Sequence, residues 1–86
     1  MTTKQKMERV KAFLTENGIP FKENFRDRRG RKLHIYISNF KIVIHPNDDQ
    51  RFYKSVRFDY HPIFVREEDT LEFVLEKVRN TITRLI

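Results

Sequence analysis

Apolar residues recur at helical spacing from the start of the chain. Met7, Val10, Phe13 and Leu14 fall on one side, and Lys4, Lys6, Glu8, Arg9, Lys11 and Glu16 fill the other, which predicts an amphipathic helix over about residues 4–17. Thr2 or Thr3 can cap its start, Asn17-Gly18 is a stop signal, and Pro20 follows shortly after. The period then shortens to two. Residues 21–25 read as a first strand with Phe21, Glu23 and Phe25 on one side, and residues 28–32, with Gly30, read as a turn. Residues 33–38 and 40–45 form a hairpin about Ser38-Asn39. If residue 37 pairs with 40, 35 with 42 and 33 with 44, then Leu33, Ile35, Ile37, Phe40, Ile42 and Ile44 share one uninterrupted apolar face. His34, Tyr36, Lys41, Val43 and His45 occupy the other face, with His34 opposite Val43.

Beyond Pro46-Asn47-Asp48, Phe52 and Val56 share a side, so residues 49–58 read as a short helix capped by Asn47 or Asp48, with strand as the alternative for so aromatic a segment. Ile63-Phe64-Val65 reads as a fourth strand. Leu71, Val74, Leu75, Val78, Ile82 and Leu85 then make the clearest helical stripe in the chain, with Asp69 and Glu72 as a capping box. The expected fold is a single α+β domain over residues 1–86 in the order α-β-β-β-α-β-α. In it a three- or four-stranded sheet with a central antiparallel hairpin packs against the N- and C-terminal helices.

Charge sharpens this picture. The chain has 86 residues and a formal net charge of +6, but the excess is one-sided. Residues 1–43 carry eleven Lys/Arg and four Asp/Glu, whereas residues 44–86 carry seven and eight. Eight phenylalanines argue against a disordered basic tail. Cysteine is absent, which rules out disulfides, thiolate metal sites and a cysteine nucleophile, and suits a reducing compartment. No apolar run approaches the ~18 residues of a membrane span and no apolar block marks a signal peptide, so a cytoplasmic chain without a membrane partner is expected.

The densest positive cluster is the turn, where Arg26, Arg28, Arg29, Arg31 and Lys32 are opposed only by Asp27. Cations on a turn can reach phosphates, Gly30 allows a close backbone approach, Lys22 and Lys41 extend the patch, and Tyr36 is available to stack on a base. Catalytic constellations are missing. Neither Ser38 nor Ser55 lies in a nucleophile-elbow pattern, and two glycines cannot build a phosphate-binding loop. Glu67, Glu68 and Asp69 sit at a helix start, where the macrodipole favours them. His34 and His45 would be diagonal neighbours, but Tyr36 and Lys41 are poor further ligands, so neither a metal site nor a cofactor is expected.

The stretch from Lys32 to Ile82 resembles the core of small restriction-endonuclease-like nucleases, the group that includes very-short-patch-repair endonucleases. A hairpin, H-I-Y-I-S-N-F-K-I-V-I-H, leads into a polar segment with Asp48, Asp49 and Arg51, a turn with Tyr60, the strand I-F-V-R and the helix L-E-F-V-L-E-K-V. The resemblance implies two metal-binding acids, the second followed by a lysine. Those positions fall here on His34 and on Ile44 or His45, with no lysine after them, and magnesium prefers hard oxygen ligands. A double-stranded-RNA-binding module has a similar order but needs a basic start to its last helix, which here is acidic. The expected function is therefore a non-catalytic nucleic-acid-binding or accessory domain, on DNA or RNA. A protein-interaction module or homodimer, using the Tyr36/Val43 face or Phe52, Tyr53, Phe58 and Tyr60, is the alternative, and a metal-dependent nuclease ranks third.

Overall fold

A computed structural model describes all residues 1–86. The elements are α1 (Thr3–Glu16), β1 (Lys22–Arg26), β2 (Lys32–Ile37), β3 (Ile42–Pro46), α2 (Gln50–Val56), β4 (His61–Val65) and α3 (Leu71–Leu85), in the expected order α-β-β-β-α-β-α. They build a four-stranded sheet in the order β1-β2-β3-β4. The first three strands form an antiparallel meander, and β4 runs parallel to β3. A parallel neighbour needs a crossover, and α2 supplies it. Asp49, rather than Asn47 or Asp48, caps that helix by accepting a hydrogen bond from the Phe52 amide, and the 49–58 segment is helical over Gln50–Val56.

The sheet is covered on both faces. Met7, Val10 and Leu14 of α1 and Val74, Val78 and Ile82 of α3 pack on Ile35, Ile37, Ile42, Ile44, Ile63 and Val65 in one core, with Phe40 against its margin. On the far face α2 lays Phe52 over His45 and Phe64, and buries Val56; Val43 is buried as well. Val43 is therefore covered by the chain's own helix, whereas Tyr36 stays half-buried at the margin of that cover. No helix is long and apolar enough to cross a membrane.

The hairpin differs from expectation by two residues of register. Ile37 pairs with Ile42, Tyr36 with Val43 and Ile35 with Ile44. A two-residue loop needs positive φ at its central positions, and Ser38-Asn39 offers no glycine for it. The chain uses four residues instead. The Phe40 amide bonds Ile37 O at 3.2 Å, the Lys41 amide bonds Ser38 O at 3.4 Å, and Lys41 alone takes the left-handed turn, at φ 55°. A shift of two keeps Ile35, Ile37, Ile42 and Ile44 on the core face, while Leu33 is buried outside that cluster. A shift of one would have turned the two core isoleucines of the slipped strand out of the core, at about 1.5–3 kcal/mol each. In β1, Asn24 at φ 50° interrupts the alternation, so Glu23 meets Lys11 of α1 while Phe25 lies on Tyr36 of the opposite face. Phe21, Glu23 and Phe25 thus do not share a side.

Lys6 departs most from its expected place. It is 1% exposed, and its ammonium donates to the carbonyls of Arg66, Glu67 and Asp69 at 2.6, 2.9 and 2.7 Å. Three acceptors match its three protons, which makes the buried charge tolerable and pins α1 to the β4–α3 connection. Asp69 shapes that connection by accepting from the Arg66 amide, and the helix cap falls to Thr70 rather than to an Asp69–Glu72 box. At the free edge of β4, Pro62 has no amide hydrogen and Lys77 occupies the Phe64 carbonyl at 2.7 Å, which blunts strand addition there.

Replacing Lys6 with alanine is predicted to cost about 2–4 kcal/mol, because three partly buried carbonyls lose a charged donor and the buried stem leaves a gap. Urea unfolding should show the midpoint falling with little change in slope, while Lys4→Ala, on the exposed side of α1, stays within about 0.5 kcal/mol.

Candidate nucleic-acid interface

The turn between β1 and β2 is organised by one carboxylate. Asp27 Oδ1 accepts from the amides of Arg29 and Arg31 at 3.0 and 2.9 Å, and Gly30 takes the left-handed conformation at φ 78°. Asp27 Oδ2 accepts from Arg31 Nε at 2.7 Å and from the Tyr60 hydroxyl at 2.9 Å, with Arg31 Nη2 at 2.7 Å. Arg31 Nη1 reaches across to the Ser55 carbonyl and to Asp59 Oδ2, and its guanidinium lies 5.2 Å from the Tyr60 ring centre. The turn is thereby fastened to the end of α2 and the connection into β4. Burial alone would raise the Asp27 carboxyl. The Arg31 amide, the Tyr60 hydroxyl and the Arg31 guanidinium outweigh it and hold the group below the usual carboxylate range.

This network sorts the basic cluster. Arg31 is half-buried and fully engaged, so it holds the turn and is not free for a phosphate. Arg26 turns back to donate to Gly30 O at 2.7 Å. Arg29 is exposed, with only a 4.0 Å contact to Asp59. Arg28, Lys32 and Lys41 are exposed and make no side-chain hydrogen bond or ion pair. Lys22 lies 4.6 Å from the centre of the Phe25 ring.

Arg28, Arg29 and Lys41 line one open groove of about 490 Å3 together with Phe25, Tyr36, Phe58 and Tyr60. Tyr36 is held within it, stacked on Phe25 at 5.4 Å and meeting the edge of Tyr60 at 5.5 Å. It is a wall of the groove. Phe58 is the ring that stands free, 85% exposed, with the Arg57 guanidinium 4.6 Å from its centre. Sequence reasoning gave Phe58 no part in nucleic-acid contact, yet a signal was present: it falls outside the i, i+4 pair of Phe52 and Val56 that faces the sheet.

The two histidines lie elsewhere: His45 sits under α2, and His34 lies beside it. The true register places His34 opposite His45 rather than Val43, and their rings meet edge to face at 4.9 Å. His45 stacks on Phe52 at 4.0 Å, and both Nδ1 atoms are buried without a partner. Burial, then the Lys32 charge, lowers His34; burial, then His34, lowers His45 against the opposing pull of Asp49. Both are therefore neutral at pH 7. A separate concavity of about 420 Å3 between α1 and β1–β2 contains Glu8, Lys11, Glu23 and His34, and there Lys11 bridges both carboxylates. No three His, Cys, Asp or Glu side chains are grouped to hold a metal ion.

Acid should weaken the fold in two windows. Histidines with lowered pKa favour the native state above their ordinary value of about 6.5, and that contribution is lost as pH falls through and below it. The Asp27 contribution is complete above about pH 3.9 and is lost as pH falls toward its lowered native value. Urea unfolding across pH 7 to 2 should show both losses. His45→Phe should shrink the upper one and Asp27→Asn the lower one; an unchanged loss between pH 7 and 5 in His45→Phe would contradict the assignment.

No protein-family model, curated protein or solved structure matches this chain.

Proposed function

We propose that the protein is a non-catalytic nucleic-acid-binding or accessory domain that contacts phosphate through its β1–β2 turn. The observation that carries this is the division of labour among the turn cations. One arginine, Arg31, neutralises Asp27 and fixes the turn, and this leaves Arg28, Arg29 and Lys32 exposed on a preorganised backbone. Lys41 flanks them across the groove, while Lys22 and Arg26 add positive charge from β1. Such contacts give salt-dependent affinity rather than base specificity. A cytoplasmic location fits a chain without cysteine.

The nuclease reading ranks below this one. Where the resemblance to restriction-endonuclease-like cores would put metal-binding acids, the chain has the neutral, packed rings of His34 and His45. The exposure of Tyr53 and Phe58 favours a second reading, a protein-interaction module or homodimer. Light scattering that shows a dimer split by Tyr53→Lys would support it.

Fluorescence anisotropy with labelled oligonucleotides tests the first reading. Binding should weaken steeply between about 50 and 200 mM salt, and Arg28→Ala with Arg29→Ala should reduce the logarithmic salt slope by about 2. Arg31→Ala should instead lower stability. The absence of binding at about 50 mM salt, or an unchanged slope in the double variant, would refute the reading.

A further inference from the structure

We infer that the groove beside the turn accepts single-stranded nucleic acid, with one unpaired base stacking on Phe58 while neighbouring phosphates meet Arg28, Arg29 and Lys41. This rests on the nucleic-acid reading above and narrows it to a class of ligand.

Phe58 is the starting point. A phenylalanine that is 85% exposed contributes almost nothing to the fold, and it stands in the short connection from α2 to β4 beside the arginine turn. Arg57, 4.6 Å from the ring centre, gives the platform a cation that can pair with a phosphate or lie against a base. The connection itself is held in place, because Asp59 and Ser55 bind Arg31 and the Tyr60 hydroxyl binds Asp27. The ring is thus presented from a fixed position next to the phosphate-binding cations.

The charge of the groove favours an anionic occupant. Asp27 is neutralised by Arg31, and Asp59 is shared between Arg31 at 3.1 Å and Arg29 at 4.0 Å. Arg28 and Lys41 have no acidic partner. An apolar protein partner would have to desolvate those charges, whereas a nucleic acid strand neutralises them. The form of the strand follows from the ring. In a duplex the base faces are stacked on one another and cannot reach a surface aromatic, but an unpaired strand offers a base face next to each phosphate.

The test compares ligands that differ by one feature. Anisotropy is measured at about 50 mM salt with an oligothymidylate, an oligouridylate, an abasic deoxyribose-phosphate chain of the same length and a hairpin duplex. The oligothymidylate should bind about ten-fold tighter than the abasic chain, and Phe58→Ala should remove that difference while leaving the circular dichroism spectrum unchanged. Arg28→Ala with Arg29→Ala should weaken the oligothymidylate and the abasic chain by the same factor. The two single strands together report whether the sugar matters. Equal binding of abasic and base-bearing chains, a preference that survives Phe58→Ala, or Phe58 buried in a dimer detected by sedimentation would overturn the inference. Binding of the duplex alone would overturn it and leave the nucleic-acid reading standing. If no ligand binds, both fail.

Discussion

The carboxylate of Asp27 is the point on which the surface architecture depends. It is nearly buried, with its side chain 6% exposed, and accepts from two backbone amides, the Arg31 guanidinium and the Tyr60 hydroxyl. A buried charge with fewer partners would be strongly destabilising, and one with this many becomes a fixed joint. The joint closes the β1–β2 turn and ties it to the connection between α2 and β4, segments about thirty residues apart in sequence. It also determines which cations remain available. Without the Asp27–Arg31 pair the turn would keep its backbone bonds but lose its tie to Asp59 and Ser55. With it, one arginine is spent internally and the others are presented from a fixed backbone.

The rest of the molecule makes that joint possible by covering the sheet on both faces. The parallel pairing of β3 and β4 forces a crossover, and α2, which makes it, lies on the face away from α1 and α3. Its arrival buries Val43, Val56 and His45, stacks Phe52 on His45, and delivers the Ser55 carbonyl and Asp59 to Arg31. The same geometry leaves His34 and His45 with unpartnered nitrogens in a desolvated layer, where the neutral form is favoured. On the opposite side, the Lys6 ammonium performs the corresponding service for the β4–α3 connection.

Much of this was legible in the sequence because it follows from periodicity. The stripe of Leu71, Val74, Val78 and Ile82 specified α3, and Ile35, Ile37, Ile42 and Ile44 specified the hairpin and its buried face. What periodicity does not encode was missed. Pairing register depends on loop conformation, and the left-handed Lys41 has no strong sequence signature, so His34 was set against the wrong neighbour. Lys6 occupies a polar position of the α1 pattern, yet carbonyls some sixty residues distant receive it. The arginines of the turn look equivalent in sequence; only the tertiary approach of Asp59, Ser55 and Tyr60 separates Arg31 from Arg28 and Arg29. Phe58 meets the turn only in the fold, and nothing within its own segment shows that neighbour.

The proposed binding surface is the β1–β2 turn with the groove beside it. Its most direct test is a two-dimensional amide NMR titration of the full chain with a short unlabelled oligonucleotide at low salt. The amide shifts should cluster on residues 28–32, Lys41 and residues 57–60, with the core strands unaffected. Shifts concentrated on the concavity between α1 and β1, shifts confined to α3 and the β4 edge, or no shifts at all would contradict it.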